Sequence, residues 1–276
     1  MFQVQDKIRS CHNQLKQWNR ESFGNVTTEL KEKTELLKEA EAESMRGKGH
    51  DKAHALKREV NTLLSREECM WHQRSRKGWL KGGDKNTKFF HQSATQRRHR
   101  NFISEISDNQ GNHFNSDDDI ARIFEDHFMS LFSTSNPTDL DPVLSGVHRV
   151  VSDDMNAAFT KEFTADKVEA ALKQMAPSTA PGPNGMSPLF YQSFWELVGL
   201  DVSKTILSSL NSGSLLKAVN HTYITLIPKT QAPQKVLDYR PISLCNVIYK
   251  ILSKVLTNRL KHILPKIISE TQSALV

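Results

Sequence analysis

A helical-period apolar stripe, broken once at "RGKGHDK" from Arg46 to Lys52, fixes the shapes open to the start of this chain. Ile8, Cys11, Leu15 and Trp18 mark the stripe first. Val26, Leu30, Leu37 and Ala40 continue it through a charge-rich stretch, and Leu56, Val60, Leu63, Leu64 and Trp71 resume it past the break. Residues 1–75 are therefore expected to form a helical hairpin, an antiparallel coiled arm whose apolar seams meet. Nothing in the arm carries evident chemistry. It suits an interaction module in its own right.

Three cysteines, Cys11, Cys69 and Cys245, lie far apart and offer neither a disulfide framework nor a CxxC metal site. His50 and His54 have the i,i+4 spacing of paired zinc ligands, but no third ligand or catalytic Glu stands near them, so no metal site is read there. With 37% hydrophobic and 25% charged residues the 276-residue chain is globular in composition, with one to three domains. No apolar run approaches the roughly 20 residues that span a bilayer. The start, "MFQVQDKIRSCHNQ", shows no signal core, so an intracellular location and no membrane partner are expected.

The net charge of +6 matters less than where it sits. Arg74, Arg76, Lys77, Lys81, Lys85, Lys88, Arg97, Arg98 and Arg100 lie between Trp71 and Asn101 against one acid, Asp84. A solvated helix face normally interleaves acids with its bases; a run of one sign is what an anionic polymer selects. Trp79, Phe89 and Phe90 stand among these cations, placed either to stack on bases or to anchor a helix to the core. Residues 76–150 are accordingly read as a basic extension. It holds a short hairpin around "DNQG", with Ile103 and Ile106 before it and His113 and Phe114 after. A helix follows, opened by a capping box at Ser116–Asp119 and buried through Ile120, Ile123, Phe124, Phe128, Leu131 and Phe132.

From Val151 the pattern turns mixed, giving an α+β, mostly helical fold class overall. Val168, Leu172 and Met175 mark a helix that Pro177 ends. "APSTAPGPNGMSP" follows, in which Pro181, Pro183 and Pro188 restrict φ while Gly182 and Gly185 free it, which makes a stiff loop of defined shape. Ser187 and Pro188 begin a helix with Phe190, Phe194, Trp195 and Val198, expected to end at Gly199 before a second from Val202 to Leu210. Tyr223–Ile227 reads as a strand. Past "PKTQAPQKVLDYRP", Asn246 is expected to cap a long helix with Val247, Ile251, Val255, Leu256 and Ile263 inward. Lys229 and Arg240, each beside a proline at the mouths of the intervening loop, could clamp phosphate; Arg240 could instead pair with Asp238.

Five segments stand in one order: "WLKGGDKNTKFFHQSATQRRHRN", "APGPNGMSPLFYQSFW", "LNSGSLLKAVNHTYITLIPK", "YRPISLCNVIYKILSKVLTNRL" and "LPKIISETQSALV". Together they resemble the reverse transcriptase of plant LINE-type (non-LTR) retrotransposons over nearly the whole chain. The resemblance implies that residues 1–75 are the helical linker arm preceding the polymerase and that residues 151–276 are part of a fingers region. Lys229 and Arg240 match the basic residues that meet an incoming nucleotide's phosphates, and Pro181, Gly182, Pro183, Asn184 and Gly185 match a loop that lies against template. Asn184 stands where the family usually has Asp, Thr179 where Lys is common, and Gly82 where an acid is frequent.

The family's catalytic carboxylates, which hold Mg²⁺, lie in motifs beyond "QSALV", so no catalytic or metal residue is assigned to this chain and Mg²⁺ is expected for the complete enzyme. Asp117–Asp119 and Asp153–Asp154 follow serines at helix starts, where acids favour the macrodipole, and are not read as substitutes. The resemblance thus implies a fragment of an RNA-directed DNA polymerase. It would touch an RNA template and a DNA primer or RNA/DNA hybrid, would be inactive alone, and would act in the nucleus. The alternative is a non-catalytic nucleic-acid-binding protein or a decayed retroelement remnant.

Overall fold

The structure, a computed structural model, describes residues 2–75, 87–108, 110–146 and 148–268. It is mostly helical with two small sheets, an α+β chain as its periodicities predict. Residues 13–104 gather into one compact unit, and residues 1–12 with 105–276 into another.

Helix α1 (Phe2–Trp18) does not belong to the coiled arm along its whole length. Its first turns bury Val4 and Ile8, with Cys11 packed alongside, in the core of the second unit. Leu15 and Trp18 are exposed, so only the first turns of the stripe serve that core. Past a π-helical turn (Asn19–Phe23), α2 (Val26–Met45) and α3 (His50–Ser75) form the hairpin. Asn25 caps α2 by accepting from the N–H groups of Thr27 and Thr28. Gly47 and Gly49 both adopt positive φ at the reversal, conformations an L side chain resists. Ala40 and Ala53 let the two backbones approach beside Leu37 and Leu56, and Lys33 meets Glu59 across the seam at 2.8 Å. Helix α4 (Thr87–Asn101) packs on α3, with Phe90 buried edge-on to His72.

In the second unit the short strands β1 (Ile106–Ser107) and β2 (His113–Phe114) pair antiparallel, Ile106 opposite Phe114, as the Gly turn implies. Helix α5 (Asp117–Phe132) follows. Ser116 has extended cap dihedrals, but its side chain makes no capping bond, so the expected capping box does not close; its backbone carbonyl accepts from Ile120 N–H instead. Ile120 and Phe124 are buried, while Leu131 and Phe132 at the far end are exposed. Short helices α6 (Asp141–Leu144) and α7 (Asp153–Thr160) lead to α8 (Ala165–Lys173).

Two helices then replace the expected pair with a different break. Helix α9 (Pro188–Ser193) stops at Phe194, whose φ of −115° and ψ of 24° leave the helical region. Helix α10 (Trp195–Ser212) runs straight through Gly199. That glycine does not end a helix; it makes room for Trp195, whose ring would lie 2.7 Å from an added Cβ. Gly213, in the left-handed conformation, is the C-cap that ends α10.

Helix α11 (Lys217–Asn220) leads into β3 (Thr222–Pro228), which pairs antiparallel with β4 (Tyr239–Cys245) from Thr222↔Cys245 to Pro228↔Tyr239. Helices α12 (Val247–Leu260) and α13 (Leu264–Ile267) complete the described chain. The core joins Val168, Ala171 and Leu172 of α8, Tyr191 of α9, Val202 and Ile206 of α10, and Val247, Ile251 and Val255 of α12. Leu256, expected inward, is exposed. Among the described residues no helix is long and apolar enough to cross a membrane.

Candidate nucleic-acid interface

Strand register decides which side chains share a surface. On an antiparallel ribbon, directly opposed residues lie on one face, and so do residues two apart along a strand. Arg240 is opposite Ile227. Beyond the last formal pair the ladder continues, with Lys229 N–H donating to Asp238 C=O at 2.7 Å. Lys229 therefore falls on the same face as Ile227 and Arg240, with Tyr223, Thr225 and Ile242 further along it. Tyr223, Thr225, Lys229, Arg240 and Ile242 are all exposed, so an aromatic at the root and two cations at the tip share one open face.

The two cations differ in freedom. Lys229 Nζ donates to the carbonyl of Leu237 at 2.7 Å, folded back on its own loop. The Arg240 side chain makes no hydrogen bond or ion pair among the described residues, and the residue is exposed to solvent. The carboxylate that could have taken it is used elsewhere. Asp238 Oδ2 accepts from the N–H groups of Gln234 and Lys235, each at 2.9 Å, and closes a 3₁₀ turn (Val236–Asp238). Those backbone donors hold the Asp238 carboxyl below the usual carboxylate range, with Lys235 and Lys229 adding to the effect. The pairing of Arg240 with Asp238 is thereby displaced by a local turn.

Outside the ribbon, residues 106–124 fix its tip. Ser107 N–H donates to Gln234 C=O at 2.7 Å, and Ser107 bridges Lys235 in parallel fashion. Phe124 of α5 meets the buried Tyr239 ring edge-on at 5.3 Å. Sequence reading gave this segment no part in positioning the two cations; its alternating polar and apolar residues signalled only a local hairpin and helix.

At the ribbon's root, the loop 181–185 is locked by Asn246. Asn246 does not cap α12 with its side chain. Its Oδ1 accepts from Asn184 N–H at 3.1 Å, and its Nδ2 donates to the carbonyls of Ala218, Val219 and His221, each at 3.2 Å. One buried amide thus ties the loop, α11 and the end of β4 together. A turn closes through Gly185 N–H to Gly182 C=O at 2.9 Å, Asn184 Oδ1 accepts from Met186 N–H, and Lys250 Nζ donates to Ala180 C=O. Gly182 is buried with its Cα against the Cys245–Asn246 peptide, where an added Cβ would come within 2.4 Å of Asn246 N. Gly185, at φ 73°, lies under the His12 ring of α1. Pro181 and Gly185 are exposed, Pro183 and Asn184 half-buried. Tyr191 sits beneath, its hydroxyl buried without a hydrogen bond; burial raises the phenol well above its ordinary value, and Asn184 approaches it without bonding geometry.

The cations of the basic run lie in the other unit. Arg74 lies over the Trp71 ring at 5.0 Å. Lys88, Arg98 and Arg100 are exposed and Arg97 is half-buried; these four make no ion pair among the described residues. Helix α4 contains no Asp or Glu, so its cations carry no compensating charge of their own. Arg76, Lys77, Lys81, Lys85 and Trp79 lie outside the described residues. Phe90 is buried and Phe89 half-buried, with their rings 5.7 Å apart, and the His91 ring meets Trp71 at a tilt with centroids 3.7 Å apart. Phe90 thus anchors α4 to α3.

No group of three or more His, Cys, Asp or Glu among the described residues could hold a metal ion. His50 shares a hydrogen with Ser44 Oγ at 2.5 Å. Asp119 pairs with Arg122 and Asp153 with Arg149 on the same helix or its approach, as charges at helix starts do.

No family model matches the chain. It is similar to the transposon TX1 uncharacterized 149 kDa protein of Xenopus laevis, with 26% identity over 202 residues. The match covers 72% of this chain and 15% of that protein, so the chain spans a small part of the relative's length. It is a distant relative of a transposon protein.

Proposed function

We propose that this chain is part of a retrotransposon's RNA-directed DNA polymerase, of the non-LTR kind, and supplies contacts to nucleic acid and nucleotide rather than chemistry. The observation that carries the reading is the unpaired side chain of the exposed Arg240, on one ribbon face with Lys229, while the neighbouring carboxylate is withdrawn into a turn. An Arg fork left open beside a Lys suits a triphosphate, since a guanidinium offers paired donors and the ammonium a movable point charge. Lys229 would exchange its bond to Leu237 C=O for a phosphate oxygen. Loop 181–185, stiff and partly exposed, would lie along template, and the acid-free helix α4 would hold the phosphate backbone. The similarity to a transposon protein supports the same reading.

Mg²⁺, which the polymerase reaction requires, has no fitting donor set among the described residues, so the residues here bind and orient and no metal step is assigned to them. On this reading the chain alone holds a primer–template without extending it. A second reading, a nucleic-acid-binding protein without polymerase partners, rests on the cationic helix α4 of the first unit.

The test is RNA binding by the full chain, followed by fluorescence anisotropy over a salt series. Affinity should fall steeply with salt as phosphate contacts release counterions, with a slope of about −0.7 per contact on single-stranded RNA. Arg97→Ala, Arg98→Ala and Arg100→Ala together should flatten that slope by about two contacts. An unchanged slope removes α4 from the interface, and absence of RNA binding overturns the proposal.

A further inference from the structure

A cavity of about 340 Å³ lies between α1, loop 181–185 and α11, apart from the face that carries Arg240. Its apolar wall comes from Ile8, Pro183 and Ala218, and its polar wall from His12, Asn184 and His221. Gln5 and Arg9 of α1 border it, and no carboxylate lines it. The Asn246 amide forms its floor and is fully committed to main-chain partners, so that side does not collapse inward.

Two features indicate a ligand rather than a packing defect. Gln5 and His12 are half-buried polar side chains on one face of α1, and neither makes a hydrogen bond among the described residues. An amide and an imidazole with no protein partner at a cavity wall are open to bond a ligand that displaces water. The volume is also in the range of small-ligand sites, which combine an apolar body with a few polar groups. An amide that presents one donor and one acceptor in a plane, imidazoles to stack on, and an apolar back wall form the chemistry that recognises a flat heteroaromatic ring. Gln pairs bidentately with the edge of adenine, which offers an acceptor and a donor side by side. Arg9, paired with Asp6 at 2.6 Å, stands at the rim, within reach of the phosphate on the sugar that carries the base.

We infer that this cavity takes a single unstacked nucleobase, with adenine preferred, from a strand lying against loop 181–185. The inference rests on the proposed nucleic-acid function and deepens it: α1, which reads as part of a featureless arm, becomes one wall of a base-reading site. Single-stranded bases are recognised in this way elsewhere, splayed out, stacked on rings and bonded along their edges.

Adenosine 5′-monophosphate is the probe, observed by saturation-transfer NMR on the full chain, with uridine 5′-monophosphate for comparison. The adenine H2 and H8 protons should receive saturation, and the uracil protons several-fold less. Ala218→Trp, at an exposed position, fills the cavity and should abolish the signal. Gln5→Leu, which keeps the buried Val4 and Ile8 of the helix, should erase the preference for adenine even if Ala218→Trp fails to fold. RNA anisotropy is read in parallel on each variant. Lack of adenine saturation in the wild-type chain, or a signal that survives Ala218→Trp in a folded protein, overturns the pocket while RNA binding stands. Loss of RNA binding in the wild-type chain overturns the nucleic-acid reading instead, and adenine saturation then judges the cavity alone.

Discussion

Asn246→Ala removes the one side chain that joins loop 181–185, α11 and the root of the ribbon. The side chain is 3% exposed and engages one N–H and three carbonyls. Its two amide hydrogens cannot fully satisfy three carbonyls at once, so the wild type holds about three bonds' worth of energy in four contacts. Ala218 and His221 are exposed, and their carbonyls regain water when the amide is lost. Val219 is buried and Asn184 half-buried, and these two groups are left unmet. At about 1–2 kcal/mol for each orphaned group, the local cost is about 2–4 kcal/mol. With 1.4 kcal/mol per factor of ten, amides that exchange through local opening should exchange about 30- to several-hundred-fold faster. Hydrogen exchange read by mass spectrometry on peptides covering 181–186 and 217–222 measures this directly. Asn246→Asp is the informative companion: it keeps the acceptor for Asn184 N–H but turns an anion on three carbonyls, and should be no better than alanine. Exchange in 181–186 within twofold of wild type for Asn246→Ala, or protection regained by Asn246→Asp, would refute the tie.

Gly182→Ala drives a methyl to within 2.4 Å of the Asn246 nitrogen, where only backbone can yield, and should destabilise the chain by about 1–3 kcal/mol; an unchanged urea midpoint removes the steric account. Arg240→Ala should weaken nucleoside triphosphate binding about tenfold to hundredfold, the worth of charge-assisted bonds, with Arg240→Lys restoring only part. Isothermal titration checks it, and equal affinities would dissociate Arg240 from phosphate. The Asp238 carboxyl has a folded value below its unfolded one, so its turn contributes stability that is full above pH ~4 and is lost as pH falls through the lower folded value. The amide shifts of Gln234 and Lys235 should accordingly titrate with a midpoint below that of an ordinary aspartate; a midpoint at or above it breaks the sign of the argument.

Periodicity found the helical hairpin because a coiled seam is a local pattern, and the two glycines of its turn act locally too. The strand β3 was legible for the same reason. Strand β4 was not read: Pro241 interrupts "YRPISLC", and a proline counts against a strand unless the strand lies at an edge, which the two-stranded ribbon supplies. Asn246 was read as a cap because Asn before an apolar run is the commonest capping signal. Its real partners are 25 to 62 residues away, and nothing in local sequence points to them. Gly199 failed for a related reason. A glycine in a helix pattern reads as a stop, yet here it accommodates the ring of Trp195 four residues earlier, a contact that spacing could have suggested. Lys229 and Arg240 were found as residue types at the mouths of a loop; that they share a face followed only from the register.

A two-stranded ribbon is marginal in water by itself, and this one carries exposed Tyr223, Ile224 and Ile242 with no third strand among the described residues. What holds it is attachment at both ends. Asn246 fixes the root, while the Ser107–Gln234 bond and the Phe124–Tyr239 contact fix the tip. The tip loop spends its own carboxylate, Asp238, on its turn, and so leaves the guanidinium of Arg240 unopposed. Lys229, Lys235 and Arg240 thus stand within one short loop and its flanks, and the first of them folds its side chain back on the loop. The structure therefore separates two tasks along one hairpin. Hydrogen bonds and rings from residues 106–124 set where the cations stand, and the ribbon's open face leaves them exposed to solvent. Segments flanking the hairpin, rather than the hairpin's own pairing, make its tip a defined site.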